Sequence, residues 1–347
     1  YAKYLNPSTY LGTASATERL FVWSKTWELI EEKPITGYGA GNWKLFFPSK
    51  SVEGGYRLQE KDLIFTRVHN DFLEVWAETG VIGLLLFLLI FAFGILGALQ
   101  QLRRAKLAYK TRWLAILSTI IGLLVISLFD FPKERLEHLV GLALLVALAT
   151  SSDKTWVTRN QLLVGGKNSS LILTGLLVVL LAINIPISYY RFHGDQATRQ
   201  ILTYRNSDQY GIIKQNFEKG NSIWYNVDPM VIPLHWYQGI AYYMEGNYNE
   251  AKENFVLAYD INPYNFNVVN NLASTLVQLQ EYEEAVPLYY EALKINPKFE
   301  EGMFNVAFSL FQLGDYDAAE KWINRTSGNP EKKQVFQERI DNARRGE

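Results

Sequence analysis

Apolar and polar residues are distributed very unevenly along this chain. Residues 81–99 are uncharged and almost wholly apolar, and their number is close to the roughly 20 that a helix needs to cross a bilayer core. Two further uncharged apolar stretches cover 113–129 and 171–190, and a shorter one covers 139–149. We predict four membrane-crossing helices, the short one at 136–152. A buried or re-entrant segment is the alternative for that one.

Basic residues between the apolar stretches predict the orientation. Residues 100–112 carry five basic and no acidic side chains, and residues 151–168 carry three basic against one acidic. Both loops are therefore expected on the cytoplasmic side. Residues 130–137 then form an external hairpin, and residues 1–80 and everything after the fourth span face the periplasm or cell exterior. If 136–152 does not cross, the C-terminal domain is cytoplasmic instead.

The C-terminal part has an internal repeat. Pro229, Pro263 and Pro297 are 34 residues apart, which is the period of a tetratricopeptide repeat. The small and aromatic positions of three units fit the same phase: Gly239, Tyr242, Ala251, Phe255 and Ala258, then Ala273, Leu276, Ala285, Tyr289 and Ala292, then Ala307, Leu310, Ala319 and Ile323. We predict an α-solenoid of repeats over 232–330. A linker or degenerate repeat at 191–231 precedes it, and a C-terminal helix or tail at 331–347 follows.

Composition excludes several kinds of chemistry. The 347 residues include no Cys, so disulfides, thiolate metal sites and a cysteine nucleophile are excluded. The net charge of -1 gives no argument for a nucleic-acid partner. Asp315 and Asp317 resemble the Asp-x-Asp of metal-dependent glycosyltransferases, but they occupy an inter-helix turn of the repeat, so no metal or other cofactor is expected. No signal-like segment precedes the first domain, so we expect the chain to begin inside a longer protein.

The first external segment begins with a predicted amphipathic helix over 15–33. Ser15 or Thr17 is the expected cap, and Pro34 ends the helix. Arg19 lies four residues before Trp23, which puts the guanidinium on the same helix face as the indole, where stacking would fix its orientation. Packing is the alternative.

A glycine-rich turn and a polar helix start follow. The turn contains Gly37, Gly39, Gly41 and Asn42, and its glycines are expected to supply positive φ. His69 precedes Asn70 and Asp71, either of which is a suitable helix cap. The unpaired N–H groups of a helix start would stabilise an anion beside His69.

These motifs together resemble the O-antigen ligase and polymerase superfamily. Their order is Arg19-x-x-x-Trp23, then Glu32-x-Pro34-x-x-Gly37-x-Gly39-x-Gly41-Asn42, then His69-Asn70-Asp71-x-Leu73-x-x-x-x-Glu78-x-Gly80 leading into a span. The resemblance covers roughly residues 15–190. It implies an all-α fold: the C-terminal part of a GT-C-like polytopic membrane domain, here followed by the repeats. It also implies transfer of a glycan from undecaprenyl pyrophosphate to an acceptor hydroxyl outside the bacterial cytoplasmic membrane.

That chemistry suggests a role for each polar residue. Arg19 is the candidate to bind pyrophosphate, because its planar donors grip phosphate oxygens and stay charged. His69 is the candidate to accept the proton of the acceptor hydroxyl or to orient it. Arg67, Asn70 and Glu78 are further candidates for substrate contacts. Their alternatives are attraction to lipid head groups for Arg67, capping for Asn70 and helix positioning for Glu78.

Some choices stay open at the level of sequence. The expected partners are the undecaprenyl-pyrophosphate-linked donor, a glycan or protein acceptor, bilayer lipids and a protein bound to the repeats. The enzyme is predicted to act as an O-antigen ligase, a protein O-oligosaccharyltransferase or a glycan polymerase. A non-catalytic membrane scaffold that recruits partners through its repeats is the alternative from a different class. Five aromatic residues would either face sugar rings or form a small local core: Tyr38, Trp43, Phe46, Phe47 and Tyr56.

Overall fold

The protein is helical throughout the part that the structure describes. The structure, a computed structural model, describes residues 14–51, 53, 65–151, 167–328 and 330–346. Helices make up all of its named elements there, which confirms the predicted all-α class. The chain divides into two compact units, Tyr1–Phe47 with Phe65–Ala182, and Pro48–Ile64 with Ile183–Glu347. Each unit is described by itself.

The first unit contains the apolar helices. In chain order the helices are α1 (Ala14–Glu32), α2 (Trp43–Phe46), α3 (Asp71–Arg104), α4 (Leu107–Ile126), α5 (Leu136–Ser151) and α6 (Lys167–Tyr204), which ends in the second unit. A 3-10 turn, Pro132–Glu134, lies between α4 and α5.

Three helices of the described residues are long and apolar enough to cross a membrane. They are α3, α4 and the Thr174–Tyr204 part of α6. Helix α3 has 34 residues, roughly 51 Å at 1.5 Å per residue. It is interrupted at Gly80, whose φ of 69° and ψ of -176° are not helical. The helix predicted to start at Asn70 or Asp71 and the span predicted over 81–99 are therefore the two halves of α3. The half that follows Gly80 contains the predicted span.

The fourth apolar segment is the shortest. Helix α5 has 16 residues, roughly 24 Å, and it packs against α3 over most of its length. A Cβ added at Gly97 would lie 2.9 Å from the carbonyl oxygen of Ala149, so the end of α5 reaches the far part of α3. The shared core of α3, α4 and α5 consists of Phe91, Ala98, Trp113, Ile116, Ile120, Leu142 and Ala149. Their outward side chains, such as Leu86 and Phe93, are apolar and exposed, as a lipid-facing surface requires.

Several predicted boundaries were wrong. Ser15 and Thr17 are helical residues of α1, whose described part starts at Ala14, so neither of them caps the helix. Helix α4 begins at Leu107 rather than 113, because the basic residues before Trp113 continue the helix. Helix α6 continues past 190 to Tyr204, since no further proline follows Pro186 within it. The loop 152–166 and the candidate Tyr56 lie outside the described residues.

The second unit contains the repeats. After α6 come α7 (Tyr210–Gly220), α8 (Leu234–Met244), α9 (Tyr248–Ile261), α10 (Phe266–Gln278), α11 (Tyr282–Ile295), α12 (Glu300–Gln312), α13 (Tyr316–Arg325) and α14 (Pro330–Arg345). The helices α8 to α13 form three helix-turn-helix pairs. Ala251, Ala285 and Ala319 occupy the same repeat position and are all fully buried, because only a small side chain lets the paired helices approach. The predicted α-solenoid is confirmed.

Helices flank the three repeats on both sides. Ile201 of α6 and Phe217 of α7 pack with Leu234 of α8, and α14 contributes Phe336 and Ile340 to the core of the third repeat. Asp315 caps α13 by accepting the N–H of Ala318 at 3.0 Å, and Asp317 pairs with Arg344. No group of acidic or histidine residues that would hold a metal ion occurs among the residues described.

Candidate functional site

The glycine-rich turn has the backbone conformation that its sequence predicts. Gly37, Gly39 and Gly41 have φ values of 64°, 97° and 78°, which side chains with a Cβ rarely adopt. The side-chain amide of Asn42 closes the turn by donating to the carbonyl oxygen of Tyr38 at 3.1 Å. The turn therefore has a fixed backbone conformation, and its contacts with the rest of the protein determine its position.

The turn is attached to the junction between the two halves of α3. The N–H of Gly39 donates to the carbonyl oxygen of Glu78 at 2.7 Å, and the N–H of Val81 donates to that of Pro34 at 2.9 Å. A Cβ at Gly37 would lie 2.4 Å from the Glu78 carbonyl group, and one at Gly80 would lie 1.8 Å from the Ile35 oxygen. The two backbones are thus in direct contact, with glycine required on each side.

Glu78 holds this turn through its side chain. The carboxylate is 6% exposed and accepts the backbone N–H of Trp43 at 3.3 Å. Burial raises the pKa of Glu78, and hydrogen bonds from Gly41 and Trp43 act in the opposite direction. Both oxygens face the protein, so this residue positions the turn and has little surface left for a substrate.

Aromatic residues of the turn form a local core. Trp43 and Phe47 are buried, their rings 4.7 Å apart, and the indole N–H of Trp43 donates to Thr26 of α1 at 3.0 Å. The local-core alternative therefore applies to these two residues. Tyr38 and Phe46 are half-buried beside Lys33, whose ammonium lies 4.4 Å from the Tyr38 ring.

His69, which lies in the loop before α3, has a strained backbone conformation. Its φ of 58° is in the left-handed region, which is uncommon for residues other than glycine. Its ring makes an edge contact with Phe131 at 5.0 Å. The buried Nδ1 atom has no hydrogen-bond partner, and the nearest acid, Asp130, is 3.9 Å away. Strain of this kind clusters at functional sites.

Burial and the charge of Arg19 favour the neutral form of His69. Partial burial lowers the pKa of the imidazole below its ordinary value of 6.5, and the positive charge of Arg19 lowers it further. Asp130 and Glu74 act in the opposite direction. At neutral pH the ring is therefore a proton acceptor, which is what a general base requires.

Arg19 lies close enough to His69 to influence it and is otherwise unpaired. Within the part of the chain that the structure describes, its guanidinium makes no hydrogen bond, ion pair or ring contact. The stacking expected on Trp23 does not occur, because the Trp23 indole turns to donate to the carbonyl oxygen of Val68 at 3.0 Å. The α1 helix thus contributes both the cation of Arg19 and the hydrogen bond from Trp23 to the loop that carries His69.

The start of α3 does not offer free N–H groups. The side chain of Asn70 caps the helix by accepting from Phe72 at 3.0 Å and Leu73 at 3.1 Å. The N–H of Asp71 donates to the carbonyl oxygen of Ser127 at 2.8 Å, and that of Glu74 to Asn70. The expectation that this helix start would bind an anion was wrong, because Asn70 and the segment after α4 already satisfy its donors.

The residues 130–137 contribute to the site, which the sequence did not indicate. Lys133 donates through its backbone to the Asp71 carboxylate at 3.1 Å and through its ammonium to Glu74 at 2.8 Å. Asp71 is fully buried, and burial raises its pKa to about 6. Burial alone would lower the pKa of Lys133, but Glu74 and Glu134 raise it above its ordinary value. The sequence feature that could have indicated this contribution is the mixture of acidic and basic residues in the hairpin.

Arg67 belongs to the same cluster of charges. Its guanidinium lies 2.9 Å from Glu134 and 3.7 Å from the buried Glu74. An arginine already paired with two carboxylates is a weaker phosphate ligand than Arg19, which has none. The structure therefore places Arg19 near His69 and Asn70 directly after it, whereas Glu78 holds the glycine-rich turn. Of these four residues, only Arg19 and His69 present unsatisfied polar groups within the described part of the chain.

Comparisons with known proteins agree with this site. Residues 7–88 match the family model "O-Antigen ligase", and residues 276–332 match a tetratricopeptide-repeat model. The protein "Putative polysaccharide ligase RC0486" of Rickettsia conorii is 37% identical over 92 residues, which are 25% of this chain and 22% of that protein. A "Putative polysaccharide ligase" of Rickettsia felis is 36% identical over 92 residues, 25% of this chain and 23% of that protein. The match thus spans less than a quarter of these homologous relatives.

The predicted resemblance to the O-antigen ligase superfamily is confirmed for the segment that carries Arg19 and His69. Two solved structures of MamA are similar to part of the chain. One is 25% identical, covers 40% of this chain and 74% of its own, and has a TM-score of 0.32. The other is 24% identical, covers 41% of this chain and 71% of its own, and has a TM-score of 0.33.

Proposed function

We propose that this chain forms part of a membrane glycosyltransferase, which moves a glycan from undecaprenyl pyrophosphate to an acceptor hydroxyl outside the cytoplasmic membrane. The observation that supports this most directly is a pair of unsatisfied polar groups, one on α1 and the other in the loop just before α3. Arg19 is a cation without a partner in the described residues, and His69 is a proton acceptor with an unpartnered nitrogen. The match to O-antigen ligases over residues 7–88 supports the same reaction class.

The two residues have complementary roles in this transfer. The acceptor oxygen attacks the anomeric carbon of the donor sugar, and the bond from that carbon to the pyrophosphate oxygen breaks. The electron pair leaves with the pyrophosphate, where the guanidinium of Arg19 stabilises the added charge. The acceptor proton passes to the neutral imidazole of His69.

The neighbouring residues act indirectly, by positioning the segments around Arg19 and His69. Asn70 caps the helix that follows His69, and Glu78 fixes the glycine-rich turn. We assign both to positioning. Arg67 is assigned to the charge cluster with Glu74 and Glu134 rather than to the donor phosphates.

We infer a bacterial inner-membrane protein with this site on the periplasmic or external side. Residues 65–80 and the hairpin around Lys133 contact each other, which supports the assignment of both segments to the same side of the membrane. Helix α5 extends beside α3 as far as Gly97, which favours a crossing segment. With α5 crossing, the repeats lie on the same side as His69.

The acceptor remains the point at which candidate functions divide. A concave repeat surface suits polypeptides, which favours a protein acceptor or a docking partner over a bare glycan. Ligation to a lipid-linked core and polymerisation of the glycan use the same two residues. A scaffold without catalysis would be indifferent to Arg19 and His69.

The test uses the full-length gene product in membranes that contain lipid-linked glycan. Wild type, His69→Ala and Arg19→Ala are compared at matched membrane expression. The exposed residues His193 and Arg199 of α6 provide matched controls, His193→Ala and Arg199→Ala. We expect transfer to be lost in the first two variants and retained in the controls. Transfer at the wild-type rate in both His69→Ala and Arg19→Ala would contradict the proposal.

A further inference from the structure

We propose that Glu74 of α3 and Lys133 of the hairpin form a clasp that positions His69 for glycan transfer. Both are then positioning residues, and this inference rests on the function proposed above. The clasp is defined as the contact between these two side chains. It connects the membrane helices to the one turn of the site whose backbone is strained.

The two carboxylate oxygens of Glu74 accept hydrogen bonds from two different segments, the hairpin and the loop before α3. Its side chain is 1% exposed. One carboxylate oxygen accepts the Lys133 ammonium at 2.8 Å, and the other accepts the backbone N–H of Val68 at 2.9 Å. Val68 immediately precedes His69. A single buried carboxylate therefore links the hairpin cation to the residue before the strained histidine.

The imidazole depends on its backbone for its position. In the described structure the His69 ring makes no hydrogen bond, and its polar contact with Asp130 is 3.9 Å long. Its backbone has a φ of 58°, a conformation that persists only where surrounding contacts impose it. Those contacts are the Glu74 bond to Val68 on one side and the Asn70 cap on the other.

Lys133 is fixed as firmly as Glu74. Its side chain is 13% exposed and lies 2.5 Å from Glu134 as well as 2.8 Å from Glu74. Its backbone N–H is bound to Asp71 at 3.1 Å. Removal of either charge of the clasp leaves the other buried with a poorer partner. The hairpin would then shift, and the Val68–His69 turn would relax with it.

The effect is expected through geometry more than through charge. The charged groups that act on His69 are Arg19 from α1, Asp130 from the hairpin and Glu74 from the helix that follows it. Lys133 neutralises Glu74 but is not among them. Replacement of Lys133 by an uncharged residue thus leaves the chemical groups of the reaction intact and alters their placement. Misplacement by about 1 Å lowers turnover by about a hundredfold.

The experiment measures His69 in two independent ways. Full-length Lys133→Met, Glu74→Gln, Glu74→Asp and Lys133→Arg are compared with wild type in membranes. The first measurement is the turnover number and KM for glycan transfer at matched protein. The second is the rate at which diethyl pyrocarbonate modifies each histidine, read by mass spectrometry. The exposed His193 is the internal standard, and Lys214→Met, which breaks the ion pair with Glu245 in the second unit, is the matched control.

We expect Lys133→Met, Glu74→Gln and Glu74→Asp to lower the turnover number by about a hundredfold with little change in KM. His69 should react several times faster because its buried nitrogen becomes accessible. Lys133→Arg, which keeps the charge, should retain much of both properties, and Lys214→Met should match wild type.

Unchanged His69 reactivity in Lys133→Met would overturn the clasp. Turnover within a factor of about two of wild type would overturn it as well, since misplacement predicts a far larger loss. If the single variants do not accumulate, the double variant Glu74→Gln with Lys133→Met, which buries no lone charge, takes their place under the same criteria. The reactivity of His69 is independent of transfer. It therefore decides the clasp even if wild type transfers no glycan, which would refute the proposed function alone.

Discussion

Replacement of Gly80 by Ala is the sharpest structural test of the site. Gly80 has a φ of 69° and a ψ of -176°, a region that is essentially confined to glycine and costs other residues about 1–3 kcal/mol. An added Cβ would also lie 1.8 Å from the carbonyl oxygen of Ile35 and 2.7 Å from the nitrogen of Thr36. These are backbone atoms, so no side-chain rotation relieves the overlap.

The two costs together amount to about 2–6 kcal/mol, since overpacking of a tight contact typically adds about 1–3 kcal/mol to the backbone strain. The loss falls on the first unit. Relief of the overlap must move residues 34–37, and this movement breaks the bond from Gly39 to the Glu78 carbonyl oxygen. We therefore expect the glycine-rich turn to separate from α3 even where the variant still inserts.

The assay measures the thermal midpoint of the solubilised protein and its glycan transfer rate. A domain of this size loses about 2–4 °C for each kcal/mol, so the midpoint should fall by several degrees and transfer should fall with it. Gly122→Ala is the matched control, because Gly122 lies in α4 with nothing within 4 Å of an added Cβ. A Gly80→Ala protein that melts and transfers as Gly122→Ala does would refute the assigned contact.

Two further predictions address the protonation of His69 and the repeat domain. In the proposed mechanism the neutral imidazole is the active form, and its pKa is lowered, so the acid limb of kcat/KM should have its midpoint below about 6.5. Asp130→Asn, which removes a charge that raises this pKa, should move the midpoint to still lower pH, and a rise would contradict the assignment. Asp228 is buried and accepts the N–H groups of Met230 and Ile232 and the hydroxyl of Tyr237 at 2.7, 2.9 and 2.8 Å. Asp228→Ala should cost about 3 kcal/mol and Tyr237→Phe about 1–2 kcal/mol, measured as protease sensitivity of the repeats in the intact protein, and equal sensitivity of the two variants would count against this network.

The sequence predicts the helices of this protein better than their ends. Apolar runs near the length of a bilayer and a 34-residue period are both signals repeated over many residues, so single exceptions do not obscure them. Boundaries depend on single residues. Ser15 and Thr17 have the residue types of caps, yet both are helical residues within α1, because residue types that cap helices also occur inside them.

The candidate site shows the same division. The sequence narrowed the cap to Asn70 or Asp71 and predicted positive φ for the glycines, because these functions depend on neighbours within a few positions. The bond between Glu74 and Lys133 joins residues 59 positions apart, and nothing local marks either residue. The contact of Gly80 with Ile35 is likewise set by tertiary packing. Glu78 was a candidate for a substrate contact until its carboxylate was seen to hold Trp43.

The balance of charge around His69 explains why one cation there remains available. Lys133 and Arg67 each lie against carboxylates, and those carboxylates bind the hairpin and the backbone before His69. Both cations are paired without a ligand, so a substrate anion would have to compete with their carboxylates to reach them. Arg19 has no such partner in the described residues and lowers the pKa of His69 by its charge alone. An anionic donor bound to Arg19 would screen that charge and raise the affinity of His69 for a proton. In the proposed mechanism, binding of the pyrophosphate would thus strengthen the base at the step in which the acceptor hydroxyl loses its proton.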